Sequence, residues 1–226
     1  MTLEDALEDL KRTSDANKSA EMERYHKVER PYLGVANPVI DACTKDWRKS
    51  LELDHRLDLA AALWTTNIHE ARIAAAKLLT QARIRPDDSQ AWSLIKNWVP
   101  DFDAWAIADH AAIAGQKRLV WDPTRLDEVE PWTHSDHMWT RRAALVMTLP
   151  WTKNRTPKQD EIAQRERILN WAASYVTDPE WFIQKSVAWW LRELSKRDPD
   201  RVRAFLKDHG AQLKPFARKE AARLLS

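Results

Sequence analysis

Three stretches of this sequence bring aromatic, acidic and basic residues together at helical spacing. In Asp103-Ala-Trp105-Ala-Ile-Ala-Asp109, Trp105 and Asp109 are four apart, so on a helix they share one face about one turn from each other. A fixed carboxylate can stabilise positive charge that develops in a reaction and can orient a water molecule. A core Trp and a solvated Asp would show the same spacing. In Met138-Trp-Thr-Arg141-Arg142-Ala-Ala the two arginines project about 100° apart on a helix, so at most one shares a face with the apolar stripe. Arg142, beside two alanines, is the one placed to reach a phosphate through a charge-assisted hydrogen bond; a solvated basic face is the other reading. In Trp181-Phe-Ile-Gln-Lys185-Ser-Val-Ala-Trp189-Trp-Leu-Arg192-Glu193, Lys185, Trp189 and Arg192 fall at i, i+4 and i+7. That stripe of cation, indole and cation suits a basic groove with a stacking platform, though core or solvent-facing packing also fits.

The elements that must hold these residues are helices. Only three of the 226 residues are glycine, against thirteen tryptophans, and average usage of about 7% Gly would give several times that number. There is no glycine-rich phosphate loop and no Asn-Gly or Asp-Gly hairpin signal, which argues against a nucleotide-binding α/β fold or a β-sandwich. Apolar periodicity predicts helices over 3–17, 20–31, 38–50, 56–66, 68–81, 89–98, 103–114, 136–148, 157–175, 179–196, 199–208 and 214–225. Residues 116–135 read as a long connection with a short helix near 124–129. Asn37-Pro38, Thr156-Pro157, Asp178-Pro179 and Asp198-Pro199 each read as an N-cap followed by a first-turn proline. Asn67-Ile-His-Glu70 reads as a variant capping box, and Gly210 as a helix-ending residue.

The basic, small and apolar pattern at Arg72, Arg142, Lys185 and Lys219 recurs in steps of about 35–43 residues, the size of a HEAT-type helical pair. A stack of such pairs places one helix of each on a concave face, as a single domain over 1–226. Residues 131–226 hold 18 Lys and Arg against 11 Asp and Glu, a balance of +7; residues 1–130 hold 18 against 23, a balance of −5. This asymmetry points to a polyanionic partner, with a solvated basic surface as the other reading. Cys43 is the single cysteine and reads as a packing residue. His134-Ser135-Asp136-His137 could hold a divalent ion, but Ser135 or Asp136 serves better as an N-cap, and no metal or organic cofactor is expected. No apolar run reaches the ~18–20 residues of a membrane span and the start is acidic, so a cytoplasmic protein without membrane contact is expected. Trp47, Trp64, Trp92 and Trp171 read as packing residues.

The third stretch, Phe182-Ile-Gln-Lys-Ser-Val-Ala-Trp189-x-Leu-Arg-Glu193, resembles the signature helix of the AlkD-type alkylpurine DNA glycosylases, the HEAT-like DNA alkylation repair enzymes. Trp139-x-x-Arg142-Ala-Ala, Trp105-x-x-x-Asp109, and Met22-x-x-Tyr25 followed by Tyr32-Leu33-Gly34-Val35 resemble the same family, in order from about residue 19 to the C-terminus. The resemblance implies an all-α, right-handed solenoid of HEAT-like repeats cradling duplex DNA in a concave cleft. It implies a monofunctional glycosylase that excises positively charged N3- and N7-alkylpurines, 3-methyladenine and 7-methylguanine, without flipping the base. On this resemblance Asp109 is the catalytic carboxylate, Trp105 and Trp189 are the active-site indoles, Tyr25 lines the same cleft, and Arg142 is the cleft arginine. Lys185 and Arg192 join as phosphate contacts. Ala104 and Ala106 depart from the family pattern, where Trp and Asp are common. A monomer bound to double-stranded DNA, and through it to the nucleoid, is the implied state. A non-catalytic HEAT-like module that binds DNA or protein is the alternative.

Overall fold

The computed structural model describes residues 1–225, and among them every regular element is helical. The all-α class is as the sequence predicts. The chain divides into two compact units, Met1–Trp121 and Asp122–Ser226. The first comprises α1 (Leu3–Lys11), α2 (Ala16–His26), α3 (Asn37–Ser50), α4 (Leu53–Thr65), α5 (His69–Leu78), α6 (Ser89–Trp98) and α7 (Trp105–Trp121). The second comprises α8 (Leu126–Val129), α9 (Met138–Met147), α10 (Gln159–Ser174), α11 (Trp181–Ser195), α12 (Pro199–His209) and α13 (Pro215–Ala221).

Each unit is organised around one central helix. In the first it is α5, against which α3, α4 and α7 pack. Ala71, Ala74, Ala75 and Ala76 are buried there, and such short side chains let neighbours approach from several directions. In the second unit α11 takes that position, packed by α9, α12 and α13, with Ile183, Val187, Trp190, Leu191 and Leu194 fully buried. The basic, small and apolar repeat segments begin on α5, α9, α11 and α13, and the last runs past the end of α13 at Ala221.

Three buried indoles also bridge elements through their ring nitrogens. Trp47 Nε1 donates to Asp9 at 2.8 Å, Trp64 Nε1 to Asp101 at 2.9 Å and Trp171 Nε1 to Glu130 at 2.8 Å. Each ring thus buries a large apolar area while its one donor is satisfied. Trp64 also stacks on Trp98, ring centres 4.4 Å apart.

Several helix ends differ from the predicted ones. The first predicted helix, 3–17, stops at Lys11, because Asp15 accepts from the Asn17 and Lys18 amides and so opens α2. The helix predicted to end at 114 continues through buried Gly115 to Trp121; packing there outweighs the ~1 kcal/mol a helical glycine costs. Of the four cap-proline pairs, Asp198 caps α12 as predicted. Asn37 is instead the first residue of α3 after Ala36. Asp178 accepts from the Glu180 amide in a turn just before α11, and α10 begins after Lys158, whose amide is taken by Glu161. Gly210 is right-handed, φ −63°, and runs on into a tight turn. His137, not Ser135 or Asp136, precedes α9.

Candidate active site

The first unit carries a pocket of about 450 Å³ walled by α2, α3, α5 and α7. Helix α2 supplies Met22, Tyr25 and His26, α5 supplies His69 and Ile73, and α7 supplies Trp105, Ala106 and His110. Tyr25 and Trp105 are 69% and 38% exposed and meet edge to face with ring centres 6.2 Å apart. His26 lies 5.6 Å from Trp105 and 4.5 Å from His69, centre to centre. Sequence reading singled out Tyr25 and Trp105, and the structure brings them together.

Burial holds the histidines of this wall neutral. Desolvation, reinforced by His26, Arg30 and His110, pushes His69 down to about 3. Desolvation also lowers His26 and His110, the latter despite its 2.7 Å contact with the Ala106 carbonyl. Arg30 is itself buried and paired with Asp103.

What fixes α2 against α5 is a residue the sequence assigned to a different task. Glu70 does not return to Asn67 as a capping-box partner. Asn67 is left-handed at φ 56°, Ile68 is the N-cap, and the fully buried Glu70 carboxylate accepts from three consecutive amides, Leu33 at 2.9 Å, Gly34 at 2.8 Å and Val35 at 3.2 Å. The loop after α2 must therefore present three N–H groups to one carboxylate. Gly34 permits it: its φ is +74°, and a Cβ there would sit 2.2 Å from the Asp15 carbonyl. Ser19 Oγ donates to the Tyr32 carbonyl at 2.7 Å and fastens the same loop to α2.

Asp109 lies one turn along α7 from Trp105 and is half-buried. Ala104 and Ala106 beside Trp105 are buried, and Ala106 forms part of the pocket wall.

In the second unit a groove of about 550 Å³ runs along α11 and α13, lined by Trp181, Lys185, Ala188, Trp189, Arg192, Phe216 and Glu220. The predicted Lys185, Trp189 and Arg192 stripe is thus assembled on one surface. Lys185 Nζ sits 4.6 Å over the Trp181 ring, which stacks on Phe216 with centres 5.7 Å apart. Arg192 is paired with Glu220 and Glu193. Arg142 is 3% exposed; its Nη1 donates to the Phe182 carbonyl at 3.1 Å and its guanidinium lies 5.7 Å from the Phe182 ring, joining α9 to α11. Arg141 binds Asp178 and the Ser135 and Asp136 carbonyls. Among the described residues there is no group of three His, Cys, Asp or Glu side chains that could hold a metal ion, and no helix is long and apolar enough to cross a membrane.

The sequence profile of the DNA alkylation repair enzymes matches residues 6–225. The chain belongs to the DNA alkylation repair enzyme family. Solved structures show the same fold. A predicted DNA alkylation repair enzyme from Enterococcus faecalis is 22% identical with a TM-score of 0.78, over 94% of this chain and 97% of that one. AlkD2 from Streptococcus mutans is 20% identical with a TM-score of 0.63, over 93% and 98%. The smu.31 protein from Streptococcus mutans UA159 is 21% identical with a TM-score of 0.63, over 83% and 92%. No curated protein matches by sequence. For this DNA alkylation repair family member, sequence reading missed His26, His69 and His110 in the first unit, and Trp181 and Phe216 in the second. The i, i+4 relation of His69 to Ile73, both pocket-wall residues on α5, was a signal present in the sequence but hidden among many apolar positions.

Proposed function

We propose that this chain is a monofunctional DNA glycosylase that hydrolyses the N-glycosidic bond of positively charged N3- and N7-alkylpurines, 3-methyladenine and 7-methylguanine, in duplex DNA. The observation that carries the reading is the half-buried Asp109 carboxylate one helical turn from the exposed Trp105 indole, within a chain of the DNA alkylation repair family.

An alkylpurine cation is already a good leaving group. As the C1′–N bond breaks, its electron pair goes to the base, which departs neutral, and positive charge passes to the deoxyribose as in other glycoside hydrolyses. Asp109 stabilises that charge and orients water for attack at C1′; the water proton is passed to Asp109 and then to solvent. Trp105 gains cation–π attraction as the sugar becomes positive, and Tyr25 is assigned to the same wall. Because the chemistry is at the sugar, the base need not leave the stack before the bond breaks. On the second unit, Lys185, Trp189 and Arg192 are assigned to contacts with the DNA, the cations to phosphates, which position the duplex without reading sequence; the buried Arg142 is assigned to holding α9 against α11 through the Phe182 carbonyl.

The test is release of 7-methylguanine and 3-methyladenine from methylated duplex DNA, with Asp109→Asn beside the natural chain. Release by the natural chain and a fall of at least a hundredfold in the variant support the reading. Binding of DNA with no release at all would instead favour a non-catalytic helical-repeat module.

A further inference from the structure

A second groove of the first unit, about 290 Å³ in volume, adjoins the aromatic pocket; Asp41, Thr44 and Arg48 from α3, Lys77 from α5 and His110 from α7 face it. Ile40, Ile73 and Ala106 wall the aromatic pocket. Thr44, Lys77 and His110, each four residues later on the same three helices, wall the groove. The helices therefore run in parallel here, and the groove lies one turn, about 5.4 Å, further along them. A DNA strand advances about 3.4 Å along the duplex axis per nucleotide. For a strand that follows these helices with one sugar against Tyr25 and Trp105, the groove meets the backbone one or two nucleotides away.

The groove offers two cations and one removable anion. Lys77 Nζ meets Asp41 Oδ1 at 2.5 Å; the lysine side chain is only 15% exposed, whereas that of Asp41 is 62% exposed. Packing thus retains the lysine, while the carboxylate can turn into water at little cost, since exposed ion pairs contribute little. Arg48 Nη1 donates to the Lys77 carbonyl at 3.1 Å and is held beside it. His110 adds no charge: burial lowers its pKa, and its Nδ1 lies 2.7 Å from the Ala106 carbonyl. A phosphodiester carries the same single negative charge as the Asp41 carboxylate and accepts the same charge-assisted hydrogen bonds.

We propose that this groove is a phosphate subsite for the DNA backbone, in which Lys77 and Arg48 hold a phosphodiester that displaces Asp41. Its place beside the reacting sugar rests on the glycosylase reading, but phosphate binding itself requires only DNA. Lys77 and Arg48 are positioning residues: a phosphate fixed here sets the neighbouring sugar against Trp105 and Asp109.

The experiment is binding of an undamaged duplex oligonucleotide by the full chain, followed by fluorescence anisotropy over a range of salt concentrations. Asp46→Asn is the control, because Asp46 is on the same helix, 74% exposed and paired with Lys49, so the change in charge is equal. Asp41→Asn frees Lys77 and should tighten binding roughly threefold more than the control does. Its slope of log K against log salt should be steeper by about 0.9. Lys77→Met in the Asp41→Asn background should remove both effects, and Lys77→Arg should retain them. Should Lys77→Met fail to fold, the DNA is altered instead: a single neutral methylphosphonate is stepped through the phosphates within two nucleotides of a tetrahydrofuran abasic-site analogue. At one of them the gain from Asp41→Asn should vanish. Equal effects of Asp41→Asn and Asp46→Asn, a gain that persists without Lys77, or a gain that no methylphosphonate removes overturns the proposal. Base release with these slopes unmoved overturns this inference alone; the predicted slopes without base release overturn the glycosylase reading alone.

Discussion

The Glu70 carboxylate lies 2.8 Å from the Gly34 backbone nitrogen, thirty-six residues away in sequence, and holds the loop that follows α2 onto the start of α5. Tyr25, His26 and His69 keep their places in the pocket wall through this clamp.

Glu70→Ala leaves three loop amides without their acceptor. A loss of about 3 kcal/mol or more is expected, since each buried unsatisfied group costs about 1–3 kcal/mol. Urea unfolding monitored by circular dichroism measures it. Gly34→Ala should be comparably harmful, because both its φ and the Asp15 carbonyl oppose a side chain. An unchanged midpoint in either variant would contradict the clamp.

His69 sets a pH dependence of stability. Its folded pKa of about 3 lies below the unfolded value of 6.5, so between those values the unfolded chain binds the proton and the folded chain does not. Stability from this residue is therefore full above about pH 6.5 and declines as the pH falls towards 3. His26 and His110 act in the same direction. Between pH 7 and 5, before most carboxylates titrate, the melting temperature should fall, and His69→Phe should flatten that slope. A slope equal to that of the natural chain would remove His69 from this role.

Trp105→Ala removes the indole nearest Asp109 along α7. If cation–π attraction to the developing sugar cation is worth about 0.5–2 kcal/mol, single-turnover base release should slow by roughly 2- to 30-fold, with Trp105→Phe between the two. Equal rates for all three proteins would exclude the indole from the reaction.

Lys185 is exposed on the second unit and rests over Trp181. Lys185→Ala should reduce the slope of log K against log salt for duplex binding by about 0.9. An unchanged slope would place its ammonium away from phosphate.

The helices were legible because apolar periodicity and proline placement are local signals. The Lys185, Trp189 and Arg192 stripe and the nearness of Tyr25 to an aromatic partner could be read because one helix spacing, or one family likeness, fixes them. The histidine wall could not. His26, His69 and His110 come from three helices, and no local pattern says which faces of α2, α5 and α7 will meet. Glu70 shows the same limit: three residues after Asn67 it has capping-box spacing, yet a non-local set of amides outcompeted the local one. Arg142 was legible as a residue on the apolar-stripe side of its helix, but its acceptor, the Phe182 carbonyl, is forty positions away.

The ion pairs of the second unit alter what its formal charge means. Arg165 with Asp198, Arg167 with Asp127 and Glu130, Arg192 with Glu220, and Arg201 with Glu166 each already hold a carboxylate. For any of them to take a phosphate, one anion must be exchanged for another, and little condensed salt is set free in doing so. Counterion release then reports mainly the unpaired ammonium groups, so the ionic-strength sensitivity of binding should fall well short of what a count of basic residues would suggest.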